Sequence, residues 1–293
     1  MTRGRAVAKG FPLVSSGRIQ RIEPGDDGYP RRLQAVRATF PALHVLGTIR
    51  DSAPAVAIVG SRAASSAAMD LARRLGRVVG ARGGVVVSGG AIGIDTAAHQ
   101  GALDAGAATT VVVGTGVDII YPERNARLFA AVVERGGGLV SMFPIGSRPL
   151  AAHFVRRNQL VAALADLVVV VAAAGTSGSL HTARYAVGFG RPLAAAPGTP
   201  GTQALLAAGA ALVEDAADLE RALDGDPRRP ARPTLDGEAA RAWQALDARA
   251  PRDAGDVATA LGVSIARAMA LLSELEANGW TLAVPGSAYV RAP

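Results

Sequence analysis

The chain has 293 residues, of which 49% are hydrophobic, so it is long enough for one large core and a smaller second domain. It contains no cysteine, which excludes disulfides, thiolate metal sites and a cysteine nucleophile. The formal net charge is +7 and Lys9 is the only lysine, so arginine, which binds phosphate as a bidentate fork, supplies nearly all the positive charge. An arginine-rich genome would give ordinary solvated surfaces the same bias, and composition alone leaves both interpretations open.

The N-terminal part of the chain predicts little regular structure. Residues 1–28 are polar and glycine-rich, which predicts a poorly ordered tail, and residues 29–47 predict a short helix followed by an edge strand. The arginines near the start precede no apolar signal segment, and no apolar run approaches the roughly 20 residues that cross a bilayer. We therefore expect a cytoplasmic protein without membrane contact.

The central part of the chain, residues 29–223, predicts an α/β fold with a mostly parallel sheet. Short apolar runs alternate there with longer helical patterns, including 65–82 and 95–105, as in βαβ units. In such sheets ligands bind at the carboxyl ends of the strands, where loops open onto helix N-termini. The predicted strands are 55–59, 85–88, 109–113, 139–141, 167–171, 193–196 and 211–213.

The C-terminal part predicts a linker and a small second domain. Residues 224–233 hold three prolines and three arginines and favour a linker. Residues 234–293 predict a winged-helix-like domain that does not read DNA sequence, because its third helix offers only Arg267 beside two glutamates. Its predicted elements are helices 238–249, 253–261 and 264–277 and strands 280–284 and 288–290.

Glycine-rich loops follow the first two central strands. Gly60-Ser61-Arg62 offers backbone N–H groups, a helix N-terminus and a guanidinium, so it predicts an anion site; a plain tight turn is the alternative. The second loop, 88–95, is not Gly-x-Gly-x-x-Gly, and the strand before it ends in Ser88 where a ribose-binding acid would stand. Nicotinamide and flavin binding are therefore disfavoured.

Asp95 is placed to cap the helix after the second loop, and His99 lies one turn further on. An acid–base pair is one interpretation. A structural cap and a satisfied core histidine are favoured, because no nucleophile accompanies the pair. The four histidines of the chain lack metal-ligand spacing, so the sequence predicts no metal site.

Cationic side chains surround an aromatic ring near residue 154. Arg148, Arg156 and Arg157 flank Phe154, and single-stranded nucleic acid needs both cations for phosphates and a ring for stacking. A buried Phe154 with solvated arginines is the alternative. Ser177-Gly178-Ser179 opens a further helix and predicts another anion nest, so several phosphate-type sites share one sheet edge and favour a polyanion.

These motifs together resemble the DprA/Smf (DNA-processing protein A) family over about residues 29–215. The resemblance implies a Rossmann-like domain that binds single-stranded DNA regardless of sequence, protects it during natural transformation and loads RecA recombinase. It also implies a homodimer, with no catalytic residue and no cofactor. The DNA-binding residues expected from the loops and the resemblance are Gly60, Ser61, Arg62, Ser88, Gly89, Gly93, Asp95, Gly114, Gly116, Phe154, Arg156, Arg157, Asn158, Ser177, Gly178 and Ser179.

The sequence departs from the family pattern at five positions: Ile92, Met142, Gln159 and Ala172 replace Arg, Glu, Arg and Glu, and Val155 stands where proline is common. Either an internal ion-pair network is lost or the DNA pocket is weakened. The alternative function is nucleotide binding or nucleotide hydrolysis, as in the lysine-decarboxylase-like nucleotide phosphoribohydrolases, which share the fold. Their glycine loop is followed by a glutamate that segment 174–180 lacks, so we expect no enzymatic activity.

Overall fold

A computed structural model describes residues 19–36, 38–175, 177–229, 235, 237–248, 250–277, 280–284 and 286–291. Within these residues, a nine-stranded sheet forms the centre of the fold. Its strands are β1 (Gln20–Ile22), β2 (Leu43–Gly47), β3 (Ala55–Gly60), β4 (Val85–Ser88), β5 (Thr109–Val112), β6 (Gly138–Ser141), β7 (Leu167–Ala172), β8 (Leu193–Ala195) and β9 (Ala211–Leu212). The helices around it are α1 (Arg31–Gln34), α2 (Ser66–Ala81), α3 (Ile94–Asp104), α4 (Ala126–Glu134), α5 (Ala151–Ala163), α6 (Ser179–Gly188), α7 (Pro200–Ala207) and α8 (Ala216–Leu223), with a 3₁₀ turn at Glu123–Asn125.

The strand order is β1-β2-β6-β5-β4-β3-β7-β8-β9, and β3 to β9 are mutually parallel. The predicted mostly parallel α/β sheet is confirmed, with strand ends within one residue of those predicted. Every residue of β4 and β7 is buried, because helices cover both faces of the sheet. The chain order reverses between β3 and β7, and this switch point leaves a crevice at the carboxyl ends of the strands.

The N-terminal edge of the sheet differs from the prediction. Strand β2 pairs antiparallel with β6 on one side and with β1 on the other, so β1 forms the edge and β2 does not. Residues 20–22, predicted to belong to a poorly ordered tail, therefore form a strand. Residues 1–18 lie outside the described part of the chain.

Close contact between α2 and α3 depends on two glycines. A Cβ atom at Gly76 would lie 2.2 Å from the Ala98 carbonyl oxygen, and one at Gly101 would lie 2.0 Å from the Arg73 carbonyl oxygen. Because these distances are far inside van der Waals contact, neither position accepts a side chain without moving a helix. The glycine pair therefore allows α2 and α3 to pack with their backbones in close contact.

The C-terminal part contains α9 (Gly237–Ala245), α10 (Ala254–Leu261), α11 (Ile265–Ala277) and a three-stranded sheet of β10 (Arg252–Asp253), β12 (Ala288–Arg291) and β11 (Thr281–Val284). Helix α9 ends at Ala245 rather than at the predicted 249, and β10 was not predicted. The winged-helix-like classification of this part stays a prediction. Val284 and Val290 join the core of the large domain beside Val187 of α6, so the two parts pack together.

The predicted linker is not a free connection over its described length. The Leu212 N–H donates to the Arg228 carbonyl oxygen at 2.7 Å, so residues 227–229 run along the β9 edge of the sheet. In the described part of the chain no single helix is long and apolar enough to cross a membrane; α10 and α11 pass together only as a pair bent by 108°. The described residues contain no cluster of three or more His, Asp or Glu able to hold a metal ion.

Candidate nucleic-acid interface

A cavity of about 770 Å³ opens at the carboxyl ends of β3 and β7. This is the switch point, where the loops after these strands diverge toward helices on opposite faces. We call it the switch-point cavity. Eleven of the sixteen predicted residues line it: Gly60, Ser61, Arg62, Gly89, Asp95, Phe154, Arg157, Asn158, Ser177, Gly178 and Ser179.

The Phe154 ring organises the cationic side of this cavity. The guanidinium carbon of Arg62 lies 5.7 Å from the ring centroid and that of Arg157 lies 5.9 Å from it. Both distances fall within the range of about 6 Å for cation–π attraction. Arg62 lies in the loop after β3 and Arg157 in helix α5, and the fold brings both to one half-buried aromatic ring, as the sequence predicts.

Arg62 and Arg157 nevertheless have different environments. Arg62 is exposed at the rim, whereas Arg157 is only 5% exposed. The Arg157 Nη1 atom donates to the carbonyl oxygens of Gly89 and Val112, the latter at 2.6 Å, and burial lowers the pKa of its guanidinium to about 10. Arg157 therefore supports the cavity floor and contributes positive charge, and a direct contact of Arg157 with DNA stays a prediction.

Asp95 does not cap its helix, contrary to the prediction. The N-cap of α3 is Gly93, whose φ of +83° suits glycine, and Asp95 lies in the first turn. Its buried carboxylate accepts a 3.2 Å hydrogen bond from the Ala91 N–H, which holds the glycine loop against the helix. Burial raises the pKa of Asp95, and the charge of Arg157 opposes this rise.

His99 is a core residue, as the sequence favours, but it is not fully satisfied, because its Nε2 has no hydrogen-bond partner among the described residues. It is fully buried, and its Nδ1 shares a 2.7 Å hydrogen bond with the Thr109 hydroxyl. Burial, aided by the positive charge of Arg157, lowers the pKa of its ring to about 3. The ring is therefore neutral at physiological pH and does not form a charged pair with Asp95.

The serine loop, Ser177-Gly178-Ser179, closes the opposite side of the cavity. The hydroxyls of Ser177 and Ser179 lie 2.8 Å apart at the start of α6, where helical N–H groups and the helix dipole favour an anion. The Asn158 side-chain amide donates to the Gly178 carbonyl oxygen at 3.0 Å and accepts from Arg157 Nε at 3.1 Å. Asn158 thus connects the cationic side of the cavity to the serine loop.

Four predicted residues serve internal packing instead of lining the cavity. Ser88 is fully buried and donates to the Ile58 carbonyl oxygen at 2.6 Å. A Cβ at Gly114 would lie 2.7 Å from the Phe154 ring, one at Gly116 would lie 2.8 Å from the Pro144 carbonyl oxygen, and one at Gly93 would lie 2.5 Å from the Ser61 carbonyl oxygen. These glycines allow close contacts within the protein, and contact of these residues with DNA stays a prediction.

Arg156 also lies outside the cavity lining. It is exposed, and its guanidinium carbon is 6.0 Å from the Phe143 ring, which stacks on His153 with centroids 4.0 Å apart. Helical geometry explains this, because consecutive residues of α5 point in different directions. A contact of Arg156 with DNA stays a prediction. It would require a DNA strand that extends beyond the cavity to reach this side chain.

Tyr121 is a cavity residue that the sequence prediction did not include. It is 41% exposed, and its ring centroid lies 5.3 Å from that of Phe154. The sequence could have indicated Tyr121 as a cavity residue, because it is an aromatic residue that follows the glycine-rich loop ending at Gly116. A smaller cavity of about 130 Å³ adjoins these rings and is lined in part by Ile92 and Arg124.

Two departures from the family pattern are buried. Met142 is 8% exposed and packs in the large core, and Ala172 is 3% exposed at the end of β7. Apolar side chains therefore occupy interior positions where the family has acids. This arrangement favours the loss of an internal ion-pair network over a change in the rim of the cavity.

The fold and the cavity define a Rossmann-like protein with arginine and aromatic side chains around a cavity at its switch point. The DNA recombination-mediator protein A family matches residues 20–224, and the chain belongs to that family, which corresponds to the DprA/Smf resemblance seen in the motifs. Protein Smf of Escherichia coli is 37% identical over 289 residues, covering 92% of this chain and 76% of the relative.

Two solved structures of the family are similar over most of the large domain. DNA processing protein A of Streptococcus pneumoniae superposes with a TM-score of 0.63 at 35% identity, covering 69% of this chain and 73% of that one. DNA processing protein A of Helicobacter pylori superposes with a TM-score of 0.64 at 28% identity, covering 72% of this chain and 97% of that one. Its structure was described for its single-stranded DNA binding mode. The chain spans only 47% and 61% of the Synechocystis and Mycobacterium tuberculosis relatives.

Proposed function

We propose that this protein binds single-stranded DNA, independently of sequence, in the switch-point cavity. The observation that carries the proposal is the convergence of Arg62 and Arg157 on the Phe154 ring, opposite the serine loop. Arginine and helix N–H groups suit phosphates, and an accessible ring suits an unpaired base. A duplex keeps its bases stacked and paired, so the ring favours single strands.

The charge of the cavity supports this ligand. Among the described residues that line it, Asp95 is the one acid, and its carboxylate is buried and hydrogen bonded. An incoming phosphate therefore meets Arg62 without an exposed carboxylate beside it. Neutralising phosphates with arginine releases condensed counterions, so affinity must fall as salt concentration rises.

The test is fluorescence anisotropy of labelled oligothymidine over a salt series. Arg62→Ala should weaken binding and reduce the slope of log K against log salt by about 0.7, the value for one phosphate contact on a single strand. Arg82→Ala is the matched control, because Arg82 is an exposed arginine at the far end of α2. Equal affinity of the wild type and Arg62→Ala would remove this cavity from the proposal.

We further propose that the bound strand is protected and passed to RecA recombinase, and that the protein acts as a homodimer. The family description as a recombination mediator supports this hand-over. Strand exchange on DNA coated with single-strand-binding protein measures it: the wild type should accelerate RecA and Arg62→Ala should not. Sedimentation of the full chain tests the dimer. The cytoplasmic location stays a prediction.

One observation favours the alternative, a nucleotide-hydrolysing enzyme. Asp95 lines the cavity and burial raises its pKa, as in some general acids. Its carboxylate is engaged by the N–H of Ala91, however, and the loop 174–180 supplies no glutamate. We expect no release of free base from nucleoside monophosphates, and sustained release that Asp95→Asn abolishes would favour the enzyme.

A further inference from the structure

A second cavity lies at the opposite end of the sheet, away from the proposed DNA site. Its volume is about 260 Å³, and the first residues of β7, β8 and β9 form one wall. The other wall is formed by Pro227 and Arg229 of the connecting segment, residues 224–229, and by Ala248 and Arg291 of the C-terminal part. The cavity therefore lies between the two parts of the chain, and we call it the junction cavity.

Three arginines line the junction cavity, and each comes from a different segment. Arg191 follows α6 of the large domain, Arg229 lies in the connecting segment and Arg291 ends β12. The remaining lining residues of the described chain are apolar or glycine, and none is an acid. An anion in this cavity would therefore meet arginine side chains and no carboxylate of the described residues.

Backbone carbonyls hold these arginines in place, and carboxylates do not. Arg229 donates to the Gly209 carbonyl oxygen at 2.9 Å, and Arg291 Nε donates to the Trp243 carbonyl oxygen at 3.0 Å. Arg191 donates through Nη2 at 3.0 and 3.1 Å to two carbonyl oxygens. Within the described residues, none of the three arginines forms an ion pair.

Arg191 carries a further sign of an unfilled site. Its Nε atom is buried and has no hydrogen-bond partner among the described residues. The nearest acid that acts on it, Asp166, is already bound to Arg32 at 2.6 and 2.9 Å. A buried donor without a partner costs stability, and a bound anion would remove that cost.

We propose that the junction cavity binds a phosphate group carried on a small, partly apolar molecule, and that this ligand links the large domain to the C-terminal part. Arginine forks match phosphate oxygens, and the apolar walls suit the body of the ligand. The volume lies just below the range of about 300–1,000 Å³ for drug-sized ligands, which fits a molecule of mononucleotide size or smaller.

Calorimetric titration of the full-length protein with inorganic pyrophosphate tests this proposal. The Arg62→Ala variant serves as the background, because it weakens anion binding in the switch-point cavity, so the pyrophosphate that it still binds reports on the junction cavity. Adding Arg229→Ala should lower the affinity at least tenfold and abolish the rise in melting temperature that pyrophosphate causes. Arg229 is the first choice because it is exposed, so its loss leaves the fold intact.

Two further arms complete the experiment. Arg127→Ala, an exposed arginine of α4 that lines neither cavity, is the matched control and should leave pyrophosphate binding unchanged. Oligothymidine added to Arg62→Ala distinguishes the sources of phosphate: displacement of pyrophosphate assigns the site to a DNA strand, and persistence assigns it to a free small molecule. Binding that disappears with Arg62→Ala, survives Arg229→Ala or is undetectable in the wild type overturns the proposal, and none of these results affects DNA binding by the switch-point cavity.

Discussion

Replacing the buried Arg157 by Met should destabilise the protein strongly. The substitution removes the guanidinium that binds the Gly89 and Val112 carbonyl oxygens and leaves the buried Asp95 without its positive neighbour. Removing one partner of a buried charge pair costs about 3–5 kcal/mol, and each orphaned carbonyl contributes to that loss. We therefore expect the free energy of unfolding to fall by about 3 kcal/mol or more at pH 8.

The pH dependence gives this prediction a second signature. Arg157 lowers the pKa of Asp95, so its removal raises that pKa further above the unfolded value. A carboxyl group with a raised folded pKa binds protons more readily in the folded state, so its destabilising effect decreases as pH falls. The loss caused by Arg157→Met should therefore be smaller at pH 5 than at pH 8.

Urea denaturation followed by circular dichroism measures both effects. Arg156→Met is the matched control, because Arg156 is the adjacent residue of the same helix but is exposed, and its loss should change stability by about 0.5 kcal/mol or less. A loss below about 1 kcal/mol for Arg157→Met, or one that is equal at the two pH values, would refute the assignment of Arg157 to the cavity floor.

Three other predictions follow from packing and titration. Gly114→Val should displace the Phe154 ring, since a Cβ at this position lies 2.7 Å from it. The variant should therefore bind oligothymidine more weakly in anisotropy measurements. Gly188→Ala is the control and should not weaken binding, because the space around Gly188 is open. His99 has a pKa of about 3 when folded against 6.5 unfolded, so wild-type stability should fall as pH drops from 6.5 toward 3, by up to about 1.4 kcal/mol per pH unit from this group. In urea titrations the stability of His99→Gln should fall less steeply between pH 6.5 and pH 3 than that of the wild type. An equal slope of stability against pH in the two proteins would contradict the low pKa of His99. A chain ending at residue 229 should keep its DNA affinity. It should melt at a lower temperature in calorimetry, because the core around Val187 loses Val284 and Val290. An equal melting temperature would show that this packing does not stabilise the large domain.

Strong local patterns made the central sheet predictable. Strands such as β4 and β7 are runs of valine because both of their faces are buried, and glycine-rich loops mark their ends. Strand β1 could not be predicted in this way. Its three residues have no alternating pattern, and only pairing with β2, about twenty residues further along the chain, makes them a strand.

The site was predictable in its location but not in the role of each residue. Arg157 precedes Leu160 and Val161 by three and four positions, the spacing of one helix face, and both of these residues are buried. This pattern could have predicted the burial of Arg157 from the sequence. The role of Gly114 could not have been found, because it depends on Phe154 packing over it from a helix forty residues away.

Photocrosslinking tests the central claim most directly. The full-length protein is irradiated with an oligonucleotide that carries 5-iodouracil, and the crosslinked peptides are identified by mass spectrometry. The proposed cavity predicts crosslinks at Phe154 and Tyr121, the accessible rings beside Arg62. Crosslinks confined to the C-terminal part, residues 237–291, would contradict a DNA site at the switch point of the sheet.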